Sequence, residues 1–156
     1  MKIRKARISD LKYIHKLIND FAKREEMLPR PLSELYESMR DFFVCEDNGK
    51  IVGVCALHII WEDLAEVRSL AVDRGYQKIG IGRNLVRRCL KEAKELGLKR
   101  VFALTYIPEF FRKMGFIDID KSSLPQKIWG DCLRCHKFPE CDEHAVIKNL
   151  QQSNSK

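Results

Sequence analysis

The stretch Leu70-Ala71-Val72-Asp73-Arg74-Gly75-Tyr76-Gln77-Lys78-Ile79-Gly80-Ile81-Gly82 runs from a strand-like pattern into a helical one. Gly80 and Gly82 remove side chains where the backbone must turn sharply and a ligand must come close. Backbone N–H groups there, with a helix dipole behind them, form an anion site, and Gln77, Lys78 and Arg83 add donors and positive charge. No Gly-Lys-Ser/Thr follows at the spacing a Walker A loop requires. A dinucleotide fingerprint is excluded too, since the third glycine is missing and a hairpin precedes the strand. Taken alone, the glycines fit a turn without a ligand equally well.

Two further constellations carry chemistry. The two-residue period of a strand puts Glu66, Arg68 and Leu70 on one face. A guanidinium at Arg68 can grip a carboxylate through two parallel hydrogen bonds, or it can pair with Glu66 or Asp63; spacing does not choose. Further on, Cys132, Cys135 and Cys141 with either His136 or His144 are four ligands of the kind tetrahedral zinc takes. Only one Cys-x-x-Cys is present, so a redox-active pair and plain thiols in a substrate loop stay open beside zinc, and no metal ligand is assigned.

The elements that must position these groups follow from period and punctuation. A short apolar start at Ile3 leads to Ser9-Asp10, a helix cap. Leu11, Ile14, Ile18 and Phe21 then recur at helical spacing to about Arg24. Pro29 and Pro31 stop that helix, and Ser33 can cap a second short one through Met39. Phe42 to Glu46 reads as a strand, Asn48-Gly49 as a hairpin turn, and Ile51 to Trp61 and Leu64 to Val72 as two more strands. Leu85, Val86, Cys89, Leu90 and Ala93 form one helix face behind the glycine loop, closed at Gly97. Val101 to Thr105 is a buried strand, Pro108 to Gly115 brackets a short helix, and Phe116 to Ile119 and Ala145 to Leu150 end the pattern. The order βααβββαβαββ implies a mixed sheet with helices on its faces, an α+β or three-layer α/β class.

The 156 residues suit one domain over 1–150, with a cysteine-rich insert at about 129–144 and a disordered tail over 151–156. No apolar run reaches the roughly 18 residues of a membrane span. Met1 to Lys5 leads into polar sequence without a signal core, which points to a cytoplasmic protein. A net charge of +7 calls for an acidic partner. Nucleic acid is not favoured, because the basic residues are spread out and no aromatic-interleaved basic motif appears. Cys45, Cys55 and Cys89 read as small core hydrophobes.

Gln77-x-x-Gly80-x-Gly82 after a strand ending Leu-Ala-Val, then a helix, Val101-Phe-Ala-Leu-Thr105, and Phe110-Phe-Arg-Lys-Met-Gly-Phe116 resembles the GNAT acetyltransferase superfamily over roughly residues 3 to 120. The resemblance implies a mixed, mostly antiparallel central sheet with helices on both faces. It implies acetyl-CoA as cosubstrate: Gln77, Lys78, Ile79, Gly80, Ile81, Gly82 and Arg83 around its pyrophosphate, and main chain of Leu70, Ala71 and Val72 along its pantetheine arm. An amine with a pKa near 10.4 must lose a proton, worth about 4.6 kcal/mol at pH 7. Some members carry a base in a Glu-x-x-x-x-Ala-Val pattern, which Glu66 to Val72 matches, so Glu66 is the implied base and Arg68 an implied carboxylate anchor. A strand N–H near Leu70 suits the oxyanion. Phe111 stands where many members have a tyrosine acid, leaving Tyr106, water or unaided departure of the thiolate.

Within the superfamily, Glu66-Val-Arg-Ser-Leu-Ala-Val72 with Leu104-Thr-Tyr-Ile-Pro-Glu-Phe-Phe-Arg-Lys-Met-Gly-Phe116 looks most like the acetyltransferase domain of N-acetylglutamate synthases, of the short stand-alone type. That resemblance implies transfer to the α-amine of glutamate, in arginine biosynthesis, with Lys113 or Arg112 for a second carboxylate. A homodimer is compatible with it. Two alternatives stand beside it: a peptide or protein N-terminal acetyltransferase, and a catalytically weak acyl-CoA-binding or zinc-stabilised module.

Overall fold

The computed structural model describes residues 1–124 and 143–150. Their strands form a mixed sheet in the order β1-β2-β3-β4-β5-β7-β6, with β1 Lys2–Lys5, β2 Phe42–Asp47, β3 Lys50–Trp61, β4 Leu64–Val72, β5 Arg100–Thr105, β6 Ile117–Ile119 and β7 His144–Asn149. Four helices accompany them among the described residues: α1 Leu11–Lys23, α2 Leu32–Glu37, α3 Ile81–Glu95 and α4 Pro108–Arg112. No described helix is long and apolar enough to cross a membrane. The chain divides into two compact units, Met1–His58 with Val67–Glu92, and Ile59–Glu66 with the described part of Ala93–Lys156.

In the first unit the helical spacing of Leu11, Ile14 and Ile18 turns all three inward, each fully buried, against Leu35, Phe42, Val44, Val54, Ala56 and Ala71. Asp10 does cap, but it caps a 3₁₀ turn before α1: its carboxylate accepts the Arg7 N–H at 2.7 Å and is gripped by Arg4 at 2.7 and 3.0 Å. Burial pushes the Asp10 carboxyl up, but the Arg4 and Arg7 hydrogen bonds and charges outweigh it and hold it below the usual carboxylate range. Asn48 and Gly49, at φ of 50° and 83°, make the two-residue turn between the antiparallel β2 and β3.

Gly53 on β3 sets how closely α3 approaches. A Cβ there would sit 3.0 Å from Ile81 Cγ2 and 3.1 Å from Leu85 Cδ1, so glycine lets the first turns of α3 lie on the strand without displacing either side chain. Cys55 and Cys89 meet next to this contact, Sγ to Sγ at 3.7 Å, both fully buried as expected of core thiols. Their mutual contact and burial push the Cys55 thiol well up.

In the second unit β4 and β5 run parallel from Leu64↔Arg100 to Glu66↔Phe102. The last strand, β7, pairs antiparallel with β5 and β6, and so inserts between them. Leu64, Phe102, Leu124, Ala145 and Ile147 are its core. Gly115, at φ 94°, ends the turn after α4; a Cβ there would run into the Lys148 ammonium.

Two expected boundaries shift. The second helix is capped by Pro31 rather than Ser33 and stops at Glu37, where a 3₁₀ turn over Met39–Asp41 takes the chain into β2. Helix α3 starts at Ile81, so the last loop glycine already lies in its first turn. Cys132, Cys135, His136 and Cys141, and the tail 151–156, lie outside the described residues.

Candidate functional site

The glycine loop belongs to the first unit and is held at both ends. The Asp73 N–H donates to the Val52 carbonyl at 2.8 Å, and the Asp73 carboxylate accepts the Gly75 N–H at 3.0 Å, closing a 3₁₀ turn over Arg74–Tyr76. The Gln77 side chain donates to the Val72 carbonyl at 2.9 Å. That bond closes the loop on the end of β4, and the residue stays exposed. Lys78 and Gly80 follow at φ of 68° and 93°. Left-handed residues in a turn aim successive N–H groups into one concavity suited to an anion. For Lys78 that conformation costs about 1–2 kcal/mol, a strain typical of a ligand clamp.

Past the turn, the Asn84 N–H donates to the Gly80 carbonyl at 3.0 Å and opens the α3 ladder. The Arg83 guanidinium folds back toward the loop, with Nη2 3.8 Å from the position of a Gly80 Cβ. Ile81 is buried on Gly53, so only its main chain faces a ligand, whereas Ile79 is exposed. Ala71, 1% exposed, is likewise a core side chain whose contribution is limited to its backbone.

Ser69 is the residue that strand periodicity misses. At φ 57° it takes a left-handed conformation inside β4 and interrupts the pleat there. Nothing in the sequence marks this serine. Arg30 is a second omission: it is charged yet 7% exposed, with Nη1 3.3 Å from Glu34 Oε1. Its flanking prolines, Pro29 and Pro31, are the only local signal.

Glu66 lies in the second unit, 7% exposed, in register with Phe102 of β5. A carboxylate so placed is shielded from bulk water. At the end of β5 the buried Thr105 hydroxyl oxygen accepts the Ile107 N–H at 2.8 Å and sets the turn into α4. Tyr106 is half-buried beside it in sequence. Phe111 is sealed in an aromatic cluster, edge-on to Phe110 at 5.0 Å and to Phe116 at 5.1 Å. Arg112 binds Asp118 through two bonds of 2.9 and 2.8 Å, so it is already engaged by a carboxylate of its own chain. Lys113 is exposed. No cluster of three or more His, Cys, Asp or Glu suited to a metal occurs among the described residues.

The profile of the acetyltransferase (GNAT) family matches residues 11–116. An uncharacterized N-acetyltransferase of Chlorobaculum tepidum is 40% identical over 148 residues, 95% of this chain and 96% of that protein. An amino-acid acetyltransferase of Mycobacterium tuberculosis is 38% identical over 86% of this chain and 78% of its own length. Among solved structures, a Mycobacterium tuberculosis protein in complex with CoA and a second ligand superposes with a TM-score of 0.84 at 32% identity, covering 97% of this chain and all of that one. N-acetylglutamate synthase of Neisseria gonorrhoeae, complexed with CoA and N-acetyl-glutamate, superposes with a TM-score of 0.88 at 26% identity; it covers 97% of this chain, which spans 35% of the synthase.

Proposed function

The chain belongs to the acetyltransferase (GNAT) family, with acetyl-CoA as cosubstrate, and from that premise we propose that it acetylates the α-amino group of an amino acid, glutamate foremost. The observation that carries the choice of substrate is the likeness, over 97% of this chain, to a synthase crystallised with CoA and N-acetyl-glutamate. The 38% identity to an amino-acid acetyltransferase supports the same substrate class. Such a product belongs to arginine biosynthesis.

Acetyl-CoA supplies the acyl group as a thioester; the chain's own residues do the rest. Main-chain N–H groups from Lys78 to Gly82 take the pyrophosphate, backed by the α3 dipole and the charges of Lys78 and Arg83. Gln77 keeps that loop shut on Val72. The left-handed Ser69 redirects the main chain of Leu70, Ala71 and Val72, freeing it from regular ladder geometry to bind the pantetheine amides. Glu66 removes a proton from the ammonium of the acceptor, directly or through one water. Arg68 holds the α-carboxylate in a bidentate grip, which orients the amine. The Leu70 N–H donates to the developing oxyanion. Phe111 has no proton to give, and a thiol with a pKa near 8.5 leaves as thiolate without a dedicated acid.

Thiol release from acetyl-CoA against glutamate, other amino acids and short peptides tests the reading. Turnover with free glutamate, inhibited by N-acetyl-glutamate, is expected. Turnover with peptides alone overturns the amino-acid assignment. CoA binding without turnover on any amine reassigns the chain to an acyl-CoA-binding module.

A further inference from the structure

The solvent face of α3 carries more positive charge than the glycine loop can use. Arg83, Arg87 and Lys91 follow at four-residue intervals, and Lys78 precedes them; all four are exposed, and none makes an ion pair among the described residues. Successive members are displaced by about 6 Å along the axis and 40° around it, so the three helical cations form one ridge starting at the loop. Leu85, Val86, Cys89 and Ala93, on the opposite side, are buried.

This ridge works against the helix that bears it. No acidic residue occupies the first turn of α3. Cations in the opening turns oppose the macrodipole, and like charges four residues apart repel. Of the two acids on the helix, Glu92 is occupied by Lys5 at 3.3 Å, and Glu95 lies one step past Lys91, at the end of α3 away from the loop. The pyrophosphate accounts for the loop, for Lys78, and for Arg83, whose guanidinium lies back toward Gly80. Arg87 and Lys91, one and two turns further, are left over.

CoA brings a third phosphate, a dianion on the ribose 3′ position, separated from the pyrophosphate by the width of one sugar. We propose that Arg87 and Lys91 hold this 3′-phosphate, so that the protein selects CoA over its 3′-dephosphorylated form. The assignment rests on the reading that residues Lys78 to Arg83 hold the pyrophosphate. An arginine fork matches a terminal phosphate in a bidentate manner, and Lys91 adds a point charge beside it. Binding would also neutralise the repulsion along the ridge, so the 3′-phosphate should stabilise α3 as well as anchor the nucleotide.

Calorimetric titration of the intact protein with CoA and with dephospho-CoA reads the selection without turnover. About ten-fold tighter binding of CoA is expected at low salt, shrinking toward two-fold at 0.5 M sodium chloride as the exposed charges are screened. In Arg87→Ala, CoA affinity should fall about ten-fold while dephospho-CoA affinity stays within two-fold, and Lys91→Ala should show a smaller effect of the same kind. CoA should also raise the melting temperature of the unsubstituted protein more than dephospho-CoA does at equal saturation. Equal affinities of the unsubstituted protein for the two ligands overturn the 3′-phosphate site and leave the pyrophosphate loop standing. Equal weakening of both ligands in Arg87→Ala also overturns it, since that is the mark of a general positive field. Failure to bind either ligand overturns the loop reading itself, and the site with it.

Discussion

Gly80→Ala isolates what the loop's backbone contributes. Gly80 stands at φ 93°, a conformation that costs an L-residue about 1–2 kcal/mol. Sterics add nothing, because the nearest atom to a Cβ there is Arg83 Nη2 at 3.8 Å, an ordinary contact. The penalty is therefore purely conformational, and it must appear in one of two places. If the loop keeps its shape, the free protein loses that stability and CoA affinity is untouched. If the loop relaxes, the free protein recovers, and CoA has to restore the left-handed turn before its pyrophosphate can be bound. A loop tied at Val52 and Val72 but exposed between them should relax, so the dissociation constant for CoA should rise about 5- to 30-fold, at 1.4 kcal/mol per ten-fold.

Calorimetric titration with CoA and urea unfolding of the free protein separate the two cases. The entropic gain of alanine over glycine acts on the unfolded chain and cancels from the binding constant, so affinity is the cleaner quantity. Gly49→Ala is the control: at φ 83° in the β2–β3 turn, with nothing within 4 Å of a Cβ, it carries the same kind of backbone penalty away from the loop. It should lower stability and leave CoA binding alone. The reasoning fails if Gly80→Ala binds CoA within two-fold of the original with unchanged stability, or if Gly49→Ala weakens CoA as much.

Three other perturbations address the scaffold and the base. Glu66→Gln keeps the buried shape but cannot take a proton, so acetyl transfer at neutral pH should slow by about 10²–10⁴ while CoA binding is spared; unchanged rates of thiol release would remove Glu66 as base. Gly53→Ala places a methyl 3.0–3.1 Å from Ile81 and Leu85, and overpacking of this kind costs about 1–3 kcal/mol, readable as a lower urea midpoint together with weaker CoA binding as the first turn of α3 is pushed off β3. Asp10 titrates below the ordinary carboxylate range, so its contribution is complete above about pH 4 and is lost as pH falls through the lowered value. Asp10→Asn should therefore cost about 1.5–3 kcal/mol near pH 7 and flatten the acid limb of the stability profile; an unaltered acid limb would refute the Arg4 pairing as its source.

Features that depend on near neighbours were legible in the sequence. The spacing of Leu11, Ile14 and Ile18 determined α1, Asn48-Gly49 determined a hairpin, and Gly80 and Gly82 before an amphipathic run determined a tight turn at a helix start. Each is a preference of a few consecutive residues for one backbone geometry. Tertiary structure decided the rest. That β7 enters between β5 and β6 follows from pairing across a long sequence separation, which no local pattern encodes. Ser69 turns left-handed inside a strand whose composition reads as regular. Arg112 is taken up by Asp118, and Phe111 by Phe110 and Phe116, contacts that only the fold brings together. Only the packed structure shows Gly53 as the seat on which the first turns of α3 are placed. Types and order of groups are properties of the chain; which of them remain unengaged is settled by what folds against them.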